Sequence, residues 1–220
     1  MTSHKSSLLR FDTEISQEEV PYLRGAIIRM VKNDSLLFHN HDGSGLRYSY
    51  PLIQYKQING KAAILCLDDG ASVIDGLFHN FFSEASLGHR KVSLLIESVH
   101  TEEIEIGPAG QNLTYKIRKW LPFNQENYKR YKNTERLDEK IAFMQNLLIG
   151  NILSLAKGLG VRFEEQVEAH ILSLDEPKLY NFKKVMIMGY DAVFSTNVQL
   201  PEYAGLGKGA SLGFGTIEIV

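Results

Sequence analysis

The pattern along this 220-residue chain predicts an α+β architecture of two tandem βαββαβ modules. Three observations carry that prediction. The first hundred residues read strand, helix, hairpin, helix, strand. The segment Gly107-Pro-Ala-Gly-Gln111 then interrupts the pattern with turn residues. The second half repeats the first in outline, ending in a glycine-rich loop and a terminal strand. Because βαββαβ is the plan of a ferredoxin-like unit, residues 1–107 are expected to form one such module and residues 108–220 a second. In the second, the second helix is expected to be missing or reduced, around Thr196–Leu200.

Lys5–Phe11 reads as the first strand. Ser16 or Asp12 is placed to cap a helix from about Gln17 to Lys32, with Glu18 and Glu19 favourable in its first turn. Val20, Leu23, Ile27, Met30 and Val31 fall at helical spacing, and Pro21 lies in the first turn, where proline is tolerated. Leu36–Gly45 reads as a loop. Tyr48–Lys56 and Lys61–Leu67 flank Asn59-Gly60, the dipeptide that favours a two-residue hairpin. Asp68 or Asp69 caps a helix over Ala71–Phe82, and Arg90–His100 is the fourth strand. In the second half, Leu113–Leu121 is a strand, and Arg136–Gly158 carries Ile141, Met144, Leu148, Ile152 and Leu155 on one helical face, with Gly158 or Gly160 at its end. Strands follow over Gln166–Leu174, Lys183–Phe194 and the C-terminal Gly213–Val220, where Ile217 and Ile219 share a face.

Composition bounds the function. A hydrophobic share of 44% and a charged share of 23% describe a soluble globular chain. No apolar run approaches eighteen residues and the start is polar, so no spanning helix or signal peptide is expected. The single Cys66 has no internal disulfide partner and is expected as a buried small hydrophobe, so the expected compartment is the cytoplasm. A net charge of −2 argues against a protein that coats nucleic acid non-specifically, though it leaves room for a local basic face.

Two segments carry chemistry. The first is the glycine run Tyr203–Gly215, with glycines at 205, 207, 209, 213 and 215 and Lys208 at its crest. Dense glycine lets backbone amides turn inward toward an anion, phosphate above all. A Walker loop requires Gly-Lys-Ser/Thr opening a helix, and a Rossmann turn opens a βαβ unit; a run that precedes a terminal strand is neither. A small-anion site is disfavoured too, since no helix N-terminus follows. A mobile glycine hairpin is the plain alternative.

The second segment is His39-Asn-His41. Two imidazoles titrate near neutrality, so one can act as base toward a ribose 2′-hydroxyl and the other as acid toward the departing 5′-oxygen. Arg47, Lys56 and Lys208 are candidates to offset the charge that develops on phosphorus. Two other readings stay open: a chelate, which beyond Asp42 lacks a third ligand at recognisable spacing, and ordinary polar loop residues. Tyr48 and Tyr50 share a strand face suited to stacking on a base or orienting a phosphate, whereas Tyr55 reads as core or sheet edge. His4, His79, His89, His100 and His170 are scattered and read as structural or exposed, with His89 beside Arg90 and Lys91 the next to test. The basic clusters are Lys129-Arg-Tyr-Lys132 with Arg136, and Lys183-Lys184.

Gly205-Leu-Gly…Gly213-Phe-Gly215, Lys119–Tyr131 and the His-Asn-His loop together resemble the RAMP superfamily. They are similar above all to its CRISPR-associated endoribonucleases of the Cas-six family, which cut precursor guide RNA within its repeats. The resemblance spans essentially the whole chain. It implies tandem ferredoxin-like folds and metal-independent cleavage with no cofactor, leaving a 2′,3′-cyclic phosphate and a 5′-hydroxyl. It implies His39, His41 and Tyr48 as catalytic residues. The implied RNA contacts are Arg47, Lys56, Lys129, Arg130, Gly205, Gly207, Lys208, Gly209, Ser211 and Gly213. CRISPR repeat RNA is the implied partner, with other CRISPR-associated proteins or a second copy of the chain as further ones and no membrane. The alternative within the superfamily is a non-catalytic RNA-binding subunit of a larger ribonucleoprotein. Only Lys208 within the glycine run, and the acidic balance of the chain, depart from the family pattern.

Overall fold

The structure is a computed structural model that describes residues 3–30, 50–75 and 83–220. Two compact units are present, Ser3–Ile104 with Ser211–Gly213, and Glu105–Ala210 with Phe214–Val220. Both are mixed helix and strand built on antiparallel sheets.

In the first unit β1 (Ser3–Glu14) leads through a 3-10 turn at Gln17–Glu19 into α1 (Val20–Met30). Ser16 begins the helix as its sequence implies, its backbone amide donating to Glu19 Oε2 at 2.9 Å. Arg90 grips the same carboxylate at 2.9 and 3.1 Å and holds it below the usual carboxylate range. Val20, Leu23, Ala26 and Ile27 form the buried face of α1.

β2 (Ile53–Ile58) and β3 (Lys61–Leu67) are joined by Asn59 and Gly60 at φ 51° and 82°, the two positive values a type I′ turn requires. α2 (Asp69–Asp75) follows. The Asp68 carbonyl, rather than a side chain, accepts from the Ala71 amide at 2.9 Å, while the Asp68 carboxylate accepts from the Lys5 amide at 3.1 Å.

The expected strand Arg90–His100 divides at Leu95. β4 (Ser83–Leu87) and β5 (Arg90–Leu94) form a separate hairpin, and β6 (Ile96–Glu105) joins the main sheet, whose order is β2-β3-β1-β6. Val92, Leu94 and Ile96 alternate across Leu95, so only the change of pairing partner reveals the break.

The second unit begins with β7 (Gly107–Trp120). α3 (Gln125–Asn133) was not expected, because it buries no residue and so shows no apolar stripe. Its sequence signal is the cap, Asn124 Oδ1 accepting from the Asn127 amide at 2.7 Å. α4 (Leu137–Gly158) buries Met144, Leu148, Ile152, Leu155 and Ala156, and Ile141 of the expected stripe is half-buried. It ends with the Val161 amide donating back to the Ala156 carbonyl at 2.8 Å beside Gly160.

β8 (Ala169–Leu174), β9 (Lys178–Phe182), β10 (Val185–Gln199) and β11 (Thr216–Ile219) complete a sheet of order β11-β7-β10-β8, with β9 paired to β10. Of the two outcomes expected at Thr196–Leu200, a missing or a shrunken helix, the structure has the first. Thr196 and Val198 lie within β10, opposite Leu113 and Pro108, and the only helical turn near the glycine run is Ala210–Leu212 among the described residues. Thr196 hydrogen-bonds the Glu168 carbonyl at 2.6 Å, which lets a polar residue continue a buried strand. Ile217 is buried, but Ile219 on the same face lies at the strand end and is exposed.

Candidate nucleic-acid interface

The glycine run folds as a close-packed turn, and the reason lies in its neighbours. Trp120 Nε1 donates to Asn151 Oδ1 at 2.9 Å. Gly207 lies against that pair at φ 85°, where a Cβ would stand 2.8 Å from Asn151 Oδ1. At Gly215, φ 62°, a Cβ would collide with the Leu206 carbonyl oxygen. The Leu206 amide donates to the Gly215 carbonyl at 2.8 Å, the Gly215 amide to Lys119 at 3.1 Å and the Ile217 amide to Ala204 at 3.0 Å. Ala204, Leu206 and Phe214 fill the space beneath.

The expected inward-facing amide cradle is therefore corrected in part. The amides of residues 206, 215 and 217 are consumed by carbonyls of the turn at Gly215 and Ala204 and of β7 at Lys119, and cannot also hold phosphate. Gly205 and Gly213 are buried, so here they serve packing rather than surface contact. Gly207, Gly209 and Ser211 are half-buried, and Lys208 at the crest is exposed.

Replacing Gly215 with alanine isolates this packing. Gly110 shares a left-handed φ of 61° but faces open space, so Gly110→Ala is the control for backbone strain alone. Gly215→Ala is expected to cost roughly 2–4 kcal/mol and Gly110→Ala about 1 kcal/mol, read from urea unfolding midpoints.

Lys208 stands near a second cationic element. β9 and β10 are joined by Lys183 and Lys184 alone, at φ 53° and 66°. Both side chains are exposed, and the Lys183 and Lys208 ammonium groups lie over the Phe182 ring at 5.6 and 5.9 Å from its centroid. The sequence places Lys183 and Lys184 inside a strand, because Lys-Lys is no turn signal; a two-residue type I′ turn normally takes Asn-Gly.

On α3, Lys129 and Arg130 are exposed as expected, with the Arg130 guanidinium over Phe143 at 4.7 Å. Arg136 is instead neutralised by Asp138 at 2.6 Å and Glu139 at 3.6 Å. Thus Lys129, Arg130, Lys183, Lys184 and Lys208 give this unit an exposed set of cations suited to a phosphodiester backbone.

His39, His41, Arg47 and Tyr48 lie outside the described residues, as does His79. Lys56 is described and is fully buried in β2, so it is corrected from a surface contact to an interior residue whose burial pulls its ammonium down to about 7. Tyr50 is likewise buried, its hydroxyl accepting from Gln54 Nε2 at 2.8 Å, so it offers no stacking face. Tyr55 and Cys66 are buried as expected. His4 is buried with Nδ1 2.9 Å from Asp68 Oδ2, His89 is exposed in the β4–β5 turn, and His100 and His170 are exposed beside Glu102 and Glu168. No group of three or more His, Cys, Asp or Glu suited to a metal occurs among the described residues, and no described helix is long and apolar enough to cross a membrane.

Comparison with known proteins gives these features a context. Residues 4–105 match the family model for the Cas6b N-terminal domain, and residues 107–220 match that for the Cas6b C-terminal domain. An uncharacterised protein of Methanocaldococcus jannaschii is 33% identical over 114 residues, covering 51% of this chain and 76% of the relative. A crystal structure of Cas6b superposes with a TM-score of 0.91 at 26% identity, covering 100% of both chains. The CRISPR RNA processing endoribonuclease Cas6b superposes with a TM-score of 0.77 at 25% identity, again over 100% of both.

Proposed function

The chain belongs to the Cas6b family across both of its halves, and from that premise we propose that it is an endoribonuclease that cuts CRISPR precursor RNA within its repeats. The observation that carries this reading is the family match over residues 4–105 and 107–220, including the glycine turn that presents Lys208. One solved relative that superposes over its whole length is a CRISPR RNA processing endoribonuclease. Read from the edge strand that comes last in each unit, both sheets have the same order, β6-β1-β3-β2 and β11-β7-β10-β8, which supports two ferredoxin-like modules meeting near residues 107 and 108. Absence of a long apolar helix among the described residues fits a cytoplasmic site of action.

The proposed chemistry needs no metal. One of His39 and His41, as neutral imidazole, takes the proton from the 2′-hydroxyl beside the scissile phosphate. That oxygen forms a bond to phosphorus as the bond to the 5′-oxygen breaks, and the other histidine, as imidazolium, delivers a proton to the leaving oxygen. Tyr48 orients the phosphate and Arg47 offsets its charge. The exposed lysines and Arg130 hold the flanking strand electrostatically.

Repeat-containing RNA incubated with the protein in excess EDTA tests this. Cleavage is expected to persist and to leave a 2′,3′-cyclic phosphate and a 5′-hydroxyl. A 2′-deoxyribose at the scissile position is expected to stop it. Loss of cleavage in EDTA, or products ending in a 3′-hydroxyl and a 5′-phosphate, would overturn the mechanism. Stable binding without any product would make the protein a carrier of guide RNA instead.

A further inference from the structure

Beside the glycine turn lies a cleft of about 490 Å³, within the usual size range of small-molecule sites. Its walls are the start of α3, the β9–β10 hairpin and Lys208. Leu179, Val185 and Met186 on the hairpin are 67%, 59% and 58% exposed, a cluster of large apolar side chains that a protein without a partner normally covers. Phe182 is held at a fixed tilt by the buried Phe214, 5.7 Å away at 82°, and Tyr128 lines the cleft from α3.

The charge of the lining narrows the occupant. Among the described residues no acidic side chain lines the cleft, whereas Lys183 and Lys208 do. Asn124 and Gln125 add side-chain amides, and since Asn124 Oδ1 is already used in capping α3, its Nδ2 is left to donate. An aromatic face, apolar walls, amides and two cations fit a flat heterocycle attached to a phosphodiester, the base displacing the Lys183 and Lys208 ammonium groups from over the Phe182 ring onto the adjoining phosphates. The hairpin tip points the same way. Lysine at two successive positive-φ positions is strained where Asn-Gly would fit without strain, so turn formation does not account for the residues found there.

We propose that this cleft is a nucleobase pocket that takes one unpaired base of the RNA strand, stacked on Phe182, with the adjoining phosphates on Lys183 and Lys208. The proposal rests on the RNA-binding reading above and adds to it a subsite that reads the base rather than the backbone. Stacking platforms of this kind work on any base, and the two amides supply the means to prefer one.

The test uses fluorescence anisotropy with two uncleavable probes, a labelled 2′-O-methyl adenosine 12-mer and its abasic counterpart. Phe182→Ala is expected to weaken the adenosine probe roughly 5- to 150-fold, the range that loss of one base-stacking contact spans, and to leave the abasic probe unchanged. Because Phe182 also packs on Phe214, Met186→Asp provides a second variant: an exposed residue that places a carboxylate in the cleft lined by Lys183 and Lys208, expected to weaken both probes, the adenosine probe more than the abasic one. Lys183→Asn with Lys184→Gly keeps the turn, should raise thermal stability, and should weaken both probes with a smaller dependence on salt. Equal losses on both probes for Phe182→Ala and Met186→Asp, or none, overturn the pocket while leaving RNA binding intact. Dissociation of a dimer by Met186→Asp at unchanged affinity for adenosine would assign the cleft to a second copy and also overturn it. Failure of the wild-type protein to bind either probe at low salt overturns the RNA-binding reading itself.

Discussion

Alanine at His39 or at His41 is expected to lower the single-turnover cleavage rate by roughly 10²- to 10⁴-fold, the usual contribution of a positioned general acid or base. The double variant is expected to lose little beyond the worse of the two singles, because acid and base act within one displacement and removal of either already leaves the reaction uncatalysed at that step. Affinity for a repeat RNA blocked by 2′-deoxyribose should change little, since the imidazoles act on the reacting atoms rather than on the flanking strand. The wild-type rate should be bell-shaped with pH, its two limbs being the loss of the neutral base at low pH and of the imidazolium at high pH. Each single variant should keep one limb and lose the other, and that pattern assigns the roles. Full activity in either variant would remove the pair from the mechanism. A fall in both variants that is matched by chelation of the wild type would instead favour a metal held by the two histidines.

How much of this was legible beforehand depends on whether the determining contact is local. The capping box at Ser16–Glu19, the Asn59-Gly60 turn and the stripe of α4 are each set by residues within a few positions of one another, and each folds as its sequence implies. α3 carries no stripe because it buries no residue, its ring contacts being those of Tyr128 and Tyr131 with Phe123, so only its asparagine cap marks it. The two-lysine turn is shaped by the β9–β10 pairing rather than by turn-forming residues, and a local reading starts the strand at Lys183 and misses β9. In the glycine run, composition correctly signals positive φ at Gly207 and Gly215 but not where the amides point. That is decided by carbonyls at Lys119 and Ala204, far from it or on the other limb of the turn. The proposed catalytic pair stands on residue chemistry and on the family, since His39 and His41 lie outside the described residues.

Lys56 shows the same limit and carries the other large expected effect. In Ile53-Gln-Tyr-Lys-Gln-Ile58 the alternation puts Lys56 on a polar face with Gln54, yet Gln54 and Lys56 are both fully buried, because β2 is covered on its two sides. Burial disfavours the ammonium and pulls its pKa from 10.5 down to about 7. Above pH 7 the folded chain therefore holds this amine neutral while the unfolded chain still protonates it. The unfolded state binds more protons, so stability should rise with pH over this interval, by at most about 1.4 kcal/mol per unit, until the unfolded amine also deprotonates above pH 10. The buried Cys66 thiol and Tyr55 phenol act oppositely: burial pushes both up, so they reduce stability once the unfolded groups ionise. A window of pH 7 to 8.5 keeps their contribution small, and comparison with Lys56→Met cancels it. Urea unfolding followed by far-UV circular dichroism should show a stability difference between wild type and Lys56→Met that moves in favour of the wild type as pH rises through that window. Parallel profiles would mean that the amine is charged in the folded chain at neutral pH, paired strongly enough to offset its burial.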